Sequence, residues 1–286
     1  MKKFPSKAIL FGEYSVLLGS QVLGVPLMDR YGYWSADPGP NSKLTHGFID
    51  YLLSSCSDFL LTDKIQQIAK GEMHYRSTIR RGYGTGSSGA ITAAIYDHCA
   101  AQPPVNNIPE MRQQLSTIES FFHGKSSGID PLISIKNSPI HRDGQGRYNL
   151  LQAGSLPQQS IGKLSLLDSG DRRRVNGFVP KFVDSNNENP SIGTQLVALN
   201  DTIITKLLSN GDISHAVAEL SAFQLEHMQP MIVDHLSSHW KRGLDTGNYF
   251  IKLCGTGGGG YYLIYVVNED VLNAQFPYQL VPLTGL

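Results

Sequence analysis

The sequence predicts an α+β fold, β-rich at its start and helix-rich after its middle, on three observations. Short apolar runs broken by Gly, Pro and Asp fill the first 36 residues, two long amphipathic stretches follow residue 190, and two apolar runs flank a glycine cluster near the end.

In order along the chain, Ala8–Phe11, Ser15–Leu18, Val22–Leu27 and Tyr31–Ala36 are apolar runs that predict a β-meander. Leu44 to Leu61 places Leu44, Phe48, Leu52 and Leu53 at helical intervals. Met73–Ile79 alternates as a strand does, Gly82–Gly89 is a glycine–serine loop, and the Ala- and Ile-rich stretch Ala90–Ala101 predicts a helix. Pro103, Pro104 and Pro109 punctuate the next stretch, after which Glu110–Phe122 predicts a helix ending at His123-Gly124. Ile140–Leu151 predicts a hairpin turning on Asp143-Gly144-Gln145-Gly146, and Lys163–Leu167 a strand. Ile192–Leu208 and Ile213–Met228 are the amphipathic helices, Phe250–Leu253 and Tyr261–Val267 the strands around the glycines, and a helix and a last strand, Gln279–Pro282, close the chain. A domain boundary is expected near residue 152, giving units 1–152 and 153–286.

The 286 residues can bury a substantial core. Lys+Arg and Asp+Glu are both 24, so no net field favours a nucleic acid backbone or an acidic membrane, and neither is expected as a partner. Arg172-Arg173-Arg174 is one local basic cluster, expected in a solvated loop. Cys56, Cys99 and Cys254 are odd in number and far apart, which argues against a disulfide framework or a zinc knuckle and for a reducing, cytoplasmic setting. The basic Met1-Lys2-Lys3 start leads into an apolar run broken by Gly12 and Glu13, unlike a signal peptide. No apolar stretch has the length of a membrane span.

Three segments carry chemistry. Gly82-Tyr83-Gly84-Thr85-Gly86-Ser87-Ser88-Gly89-Ala90 joins a strand to a helix, and glycines there let backbone N–H groups at a helix start approach a phosphate. It has no GK[ST] ending and so is not a Walker A loop. A plain strand–turn–helix link capped by serine fits it equally well. Glu119 to Asp130 sets two carboxylates around His123-Gly124-Lys125-Ser126-Ser127-Gly128, the residue types that magnesium ligation and hydroxyl positioning require. A cap or turn role for Asp130 and a solvated place for Glu119 are the plainer alternatives. Gly257 to Gly260 joins two apolar strands, so bare backbone is expected to meet a neighbouring loop or a ligand.

In this order, and with Pro5-Ser6-Lys7-Ala8-Ile9-Leu10-Phe11-Gly12-Glu13-Tyr14-Ser15-Val16 at the start, the segments resemble the galactokinase–homoserine kinase–mevalonate kinase–phosphomevalonate kinase (GHMP) superfamily. The first resembles PGKVILFGEHxVV, Gly84–Ala90 resembles GLGSSAA, Lys252–Gly260 resembles KLTGAGGGG, and Leu166–Gly170 resembles LLVDTG. His123–Asp130 resembles HGxPSGxD, which sets the chain nearest the mevalonate kinases. The chain departs from these patterns at Ser6 for glycine, Tyr14 for histidine, Thr85 for leucine, Gly89 for alanine and Ser126 for proline, and the proline usual before the phosphate loop is missing.

The resemblance implies a two-lobed fold, with a ribosomal-S5-like N-terminal domain and a ferredoxin-like C-terminal domain. It implies ATP and Mg²⁺ as cofactors and a small alcohol as substrate, held in a cleft between the lobes of a monomer or homodimer. Asp130 and Lys7 take the catalytic positions, Gly84, Gly86, Ser87, Ser88 and Gly89 the ATP-binding ones, and Ser88 and Glu119 those of the magnesium ligands. Glu13, Tyr14, Gly255 and Thr256 fall at substrate-binding positions. Mevalonate is the acceptor that HGKSSGID implies. Tyr14 is nearer the GEY of phosphomevalonate kinases, which makes phosphomevalonate the first alternative. A non-catalytic sensor on the same fold would have lost one of the four catalytic and metal positions, and all four are filled.

Overall fold

The computed structural model describes residues 1–38, 44–102, 107–173, 177–270, 272 and 276–283. Pro103, Pro104, Arg174 and most of the helix expected before the last strand lie outside them.

The chain runs β1 (Phe4–Phe11), a 3-10 turn (Ser15–Leu18), β2 (Val22–Ser35), α1 (His46–Ser55), α2 (Thr62–Lys70), β3 (His74–Ser77), α3 (Ser87–Cys99), α4 (Ile108–His123), α5 (Ile129–Lys136), β4 (Ile140–Arg142) and β5 (Tyr148–Leu150). It continues through α6 (Gln158–Ile161), β6 (Leu164–Asp168), α7 (Phe178–Glu188), α8 (Pro190–Leu208), α9 (Ser214–His227), a 3-10 turn (Gln229–Met231), α10 (Asp234–Thr246), β7 (Tyr249–Leu253), β8 (Tyr261–Val266) and β9 (Leu280–Pro282). The chain is therefore mixed α+β as expected, but not in the expected order, because helices α1–α5 already fill much of its first half and strands β7–β9 close it. One sheet has the order β1-β2-β4-β5 with β3 on β2, and a second, antiparallel throughout, has the order β7-β8-β6-β9.

Two compact units divide the chain. The first comprises Met1–Lys7, Gly24–Arg80 and Thr85–Ile140, and the second Ala8–Leu23, Arg81–Gly84 and His141–Leu286. In the first, α3, α4 and α5 pack on one another and α1 packs on α2 and α4. Side chains at Met111, Leu115 and Ile118 of α4 fall at helical spacing and are wholly buried. Thr45 caps α1 and Asn107 caps α4, each accepting from a main-chain N–H with its side-chain oxygen. In the second unit α9 and α10 lie on β7, and every residue of β7 and β8 is buried. Among the described residues no helix is long and apolar enough to cross a membrane.

The structure corrects several local expectations. Ser15–Leu18 is a 3-10 turn closed by Gly19 at φ 93°, not a strand. Val22–Leu27 and Tyr31–Ser35 belong to one 14-residue strand, and Ala36 lies just beyond it. Exposed Met28 and Asp29, and Pro26 with no N–H to donate, break the apolar run without breaking the strand. The Leu44–Leu61 stretch ends its helix at Ser55 and a second, α2, begins at Thr62. Helices α2, α5, α6, α7 and α10 were not expected. Only Leu236, Trp240 and Gly243 of α10 are buried, a spacing diluted by charged and polar neighbours.

Candidate functional site

In the first unit, Lys7 sits on β1, a strand buried along its whole length, and Lys7 itself is 6% exposed. Its main-chain N–H donates to the Thr85 carbonyl at 3.0 Å, which ties the strand to the glycine–serine loop. Its Nζ lies 2.9 Å from Asp130 Oδ2. The side chain crosses the loop at Gly86, where a Cβ would fall 2.8 Å from Lys7 Cγ and 2.9 Å from Cε. Gly86 also holds φ 75° as the residue before α3, so both backbone and space call for glycine.

Asp130 is in the first turn of α5, entered through Gly128 at φ 73°. Helices α3 and α5 approach so closely that a Cβ on Gly89 would stand 2.9 Å from the Asp130 carbonyl carbon. The departure at Gly89 thus permits the contact that sets Asp130 beside the start of α3. Ser87 and Ser88 open α3, whose first amides have no acceptor within the helix and favour an anion.

Glu119, on α4, is 3% exposed rather than solvated. Ser88 Oγ donates to its Oε1 at 3.0 Å and Ser126 Oγ to its Oε2 at 2.5 Å, while His123 Nε2 lies 3.0 Å from Ser88 Oγ. Burial, and then the neighbouring Asp130 charge, push the Glu119 carboxyl up to about 7, against the pull of both serines and Lys7. A buried carboxylate short of positive charge, with a hydroxyl beside it, suits a hard cation. Among the described residues no three His, Cys, Asp or Glu side chains form a metal cluster. Ser88 and Glu119 fit Mg²⁺ as the few oxygen ligands that this ion takes from protein when a phosphate supplies others.

The second unit gathers Glu13, Tyr14, Gly255 and Thr256. Lys252, wholly buried, donates to Glu13 Oε1 at 2.9 Å and Oε2 at 3.0 Å, and the Gly255 N–H donates to Oε1 at 3.4 Å. Burial raises the Glu13 carboxyl above its ordinary value, and Lys252 opposes the rise. Tyr14 has φ 60°, a costly conformation for an aromatic residue and one associated with functional sites. Its hydroxyl donates to the Thr256 carbonyl at 2.7 Å and its ring packs on Phe182 at 5.0 Å. Burial also raises the phenol well above its usual range. The Arg173 guanidinium donates to Thr256 Oγ1. Gly84 belongs to this unit, and a Cβ there would meet Arg173 Nη1 at 3.6 Å.

What meets the glycine run is neighbouring main chain. A Cβ would fall 2.4 Å from the Met231 carbonyl at Gly257, 2.9 Å from that of Arg172 at Gly259 and 2.8 Å from that of Tyr83 at Gly260.

The structure thus brings together Lys7, Asp130, Ser88 and Glu119 in one unit and Glu13, Tyr14, Gly255 and Thr256 in the other. Sequence reading missed Ser126, Lys252 and Arg173, and found no partner for His123. The Arg172–Arg174 cluster directly after Leu166–Gly170 was the signal for Arg173, which is half-buried rather than solvated. A separate cavity of about 230 Å³ between α1, α2 and the start of β3 is lined by none of the candidate residues.

No family model and no curated protein matches the sequence significantly. Solved structures do match. The L. major mevalonate kinase, solved with R-mevalonate, is 17% identical with TM-score 0.62, over 100% of this chain and 97% of that one. The Streptococcus pneumoniae phosphomevalonate kinase, solved with phosphomevalonate and AMPPNP, is 13% identical with TM-score 0.62, over 95% and 93%. The Lactococcus lactis galactokinase, solved with galactose, is 12% identical with TM-score 0.60, over 95% and 86%. The chain has the fold of these kinases, and TM-scores of 0.60 to 0.62 do not separate one of the three from the others.

Proposed function

We propose that this chain, folded as the GHMP kinases are, is an ATP-dependent phosphotransferase acting on a small alcohol, with mevalonate the first acceptor to test. The observation that carries the reading is the Lys7–Asp130 pair at 2.9 Å in the same unit as the start of α3 and the Ser88–Glu119 pair. The motif His123–Asp130 supports mevalonate, and the residues 1–152 and 153–286 would be the family's two domains.

In this reading the N–H groups of Gly86, Ser87, Ser88 and Gly89 hold the ATP phosphates, with Gly84 letting the loop lie close. Ser88 and Glu119 would hold Mg²⁺, which when bound offsets phosphate charge. Asp130 orients the acceptor hydroxyl and takes its proton as the phosphoryl group transfers. Lys7 fixes the Asp130 carboxylate and balances negative charge developing on the transferred group. Glu13 anchors Lys252 and the Gly255 amide, so it shapes the Gly255-Thr256 segment that would contact substrate. Phosphomevalonate remains the second reading, favoured by Tyr14 and its bond to Thr256. A cytoplasmic monomer or homodimer without nucleic acid or membrane partners is part of the same proposal.

ADP release is measured with Mg²⁺ and, in turn, mevalonate, 5-phosphomevalonate, homoserine and galactose. Turnover with mevalonate alone is expected. Turnover with phosphomevalonate alone would move the assignment to the second reading, and no turnover with any of the four would count against both.

A further inference from the structure

Ser126 stands where the HGxPSGxD pattern has a proline, so its hydroxyl is a feature of this chain and not of the pattern. That hydroxyl makes two bonds at once. It donates to Glu119 Oε2 at 2.5 Å and accepts from the Gly128 N–H at 3.0 Å. Gly128 is the residue from which α5 starts, two positions before Asp130. The other carboxylate oxygen of Glu119, Oε1, accepts from Ser88 Oγ. The loop bearing Ser126 is fixed from α4, since Ser116 Oγ donates to the Ser126 carbonyl at 2.7 Å. Arg112 Nη1 donates to the next carbonyl, that of Ser127, at 2.7 Å.

We propose that Ser126 is a positioning residue that pins the metal-binding carboxylate of Glu119 and holds it in register with the helix carrying Asp130. The inference rests on the reading of Glu119 as a magnesium ligand. A carboxylate pinned at both oxygens keeps one orientation, with its remaining lone pairs aimed at one place. A hydroxyl-to-carboxylate bond of this length belongs to the strong, charge-assisted kind. The partners behind a metal ligand set its direction and basicity, and losing one commonly costs about 10–100-fold in metal affinity. Because the same oxygen also receives the Gly128 amide, its loss loosens the entry to α5 as well.

The test titrates Mn²⁺ into the full chain in the presence of AMPPNP and reads protein-bound Mn²⁺ by electron paramagnetic resonance. Ser126→Ala should weaken Mn²⁺ binding by about tenfold. Ser126→Cys, which keeps the shape of the side chain but donates poorly, should follow it, and Ser126→Thr should restore near-parental affinity. Ser116→Ala removes a bond that orders the same loop without touching Glu119, and should leave affinity within about twofold of the parent, well inside the effect expected of a lost ligand partner. Metal-free thermal midpoints show that each variant is folded. Parental affinity in Ser126→Ala and Ser126→Cys, with Glu119→Gln still weakened, overturns the proposal. An equal loss in Ser116→Ala and Ser126→Ala also overturns it, because loop order alone then explains the effect. Glu119→Gln without effect removes the metal-site reading itself, a different failure.

Discussion

Replacing Gly86 by alanine tests whether the placement of Lys7 governs activity. Gly86 sits at φ 75°, where an L side chain costs roughly 1–2 kcal/mol. The new methyl would lie 2.8 Å from Lys7 Cγ and 2.9 Å from Cε. Carbon atoms in ordinary contact stand about 3.5–4.0 Å apart, so the Lys7 chain must move by roughly 1 Å. The main chain cannot give easily, because the Lys7 N–H is bonded to the Thr85 carbonyl at 3.0 Å. The flexible side chain moves instead and takes Nζ from its place 2.9 Å from Asp130. A misplacement of about 1 Å near the reacting groups can cost about 10²-fold, so kcat should fall by roughly 10–100-fold. Urea unfolding should show the loss of roughly 1–2 kcal/mol. Gly71→Ala is the control: Gly71 has φ 79°, and the nearest atom to an added Cβ is 3.7 Å away on His74. It should lose similar stability and keep its kcat. If Gly86→Ala turns over within twofold of the parent, the geometric argument for Lys7 is refuted.

Three further outcomes are expected. Glu119 has its carboxyl raised from 4.5 to about 7, so the metal-free protein gains stability from the protonated form, fully below pH 4.5, and loses it as pH rises through about 7. The loss should reach up to roughly 3 kcal/mol at pH 8 and be flattened by Glu119→Gln, as read from urea midpoints against pH. Lys252→Met leaves the buried Glu13 carboxylate without its cation and should destabilise the fold by about 3–5 kcal/mol, with part recovered in Lys252→Met/Glu13→Gln; equal losses in the single and double variants would show that the charge pairing is not the cause. Ser88→Ala should raise the Mg²⁺ concentration needed for half-maximal turnover by about tenfold, and magnesium titrations that overlay the parent's would remove Ser88 from the metal site.

The close-packed loops around the candidate site were legible in the sequence where glycine and serine cluster. Backbone that must turn with positive φ or lie against other backbone leaves glycine as its trace, as at Gly86, Gly89, Gly128 and Gly257. The strands β7 and β8 were equally plain, since every residue in them but Lys252 is aliphatic or aromatic. Burial of single polar residues left no such trace. Glu119 follows Ser116, Thr117 and Ile118 in a helix whose sequence looks half-solvated, and becomes buried only because α3 and α5 close over α4. Lys252 shows the same limit, because the carboxylate that pairs with its cation inside the strand is Glu13, 239 positions away in sequence. Helices α2, α7 and α10 escaped notice since few buried residues mark each of them, as Ile65 and Ile68 do in α2. Ser126 stands in the sequence only as a departure from the resembled pattern, because its two hydrogen bonds depend on the approach of α4 to the start of α5.

The measurement that bears most directly on the central claim is steady-state turnover of ATP with mevalonate by the parent and by Asp130→Asn. Asparagine keeps the size of the side chain but neither accepts the acceptor's proton nor pairs as a charge with Lys7. The account predicts that kcat falls by roughly 10²–10⁴-fold while ATP affinity stays at the parental value. Turnover by Asp130→Asn close to the parent's would contradict it and take Asp130 out of the chemistry.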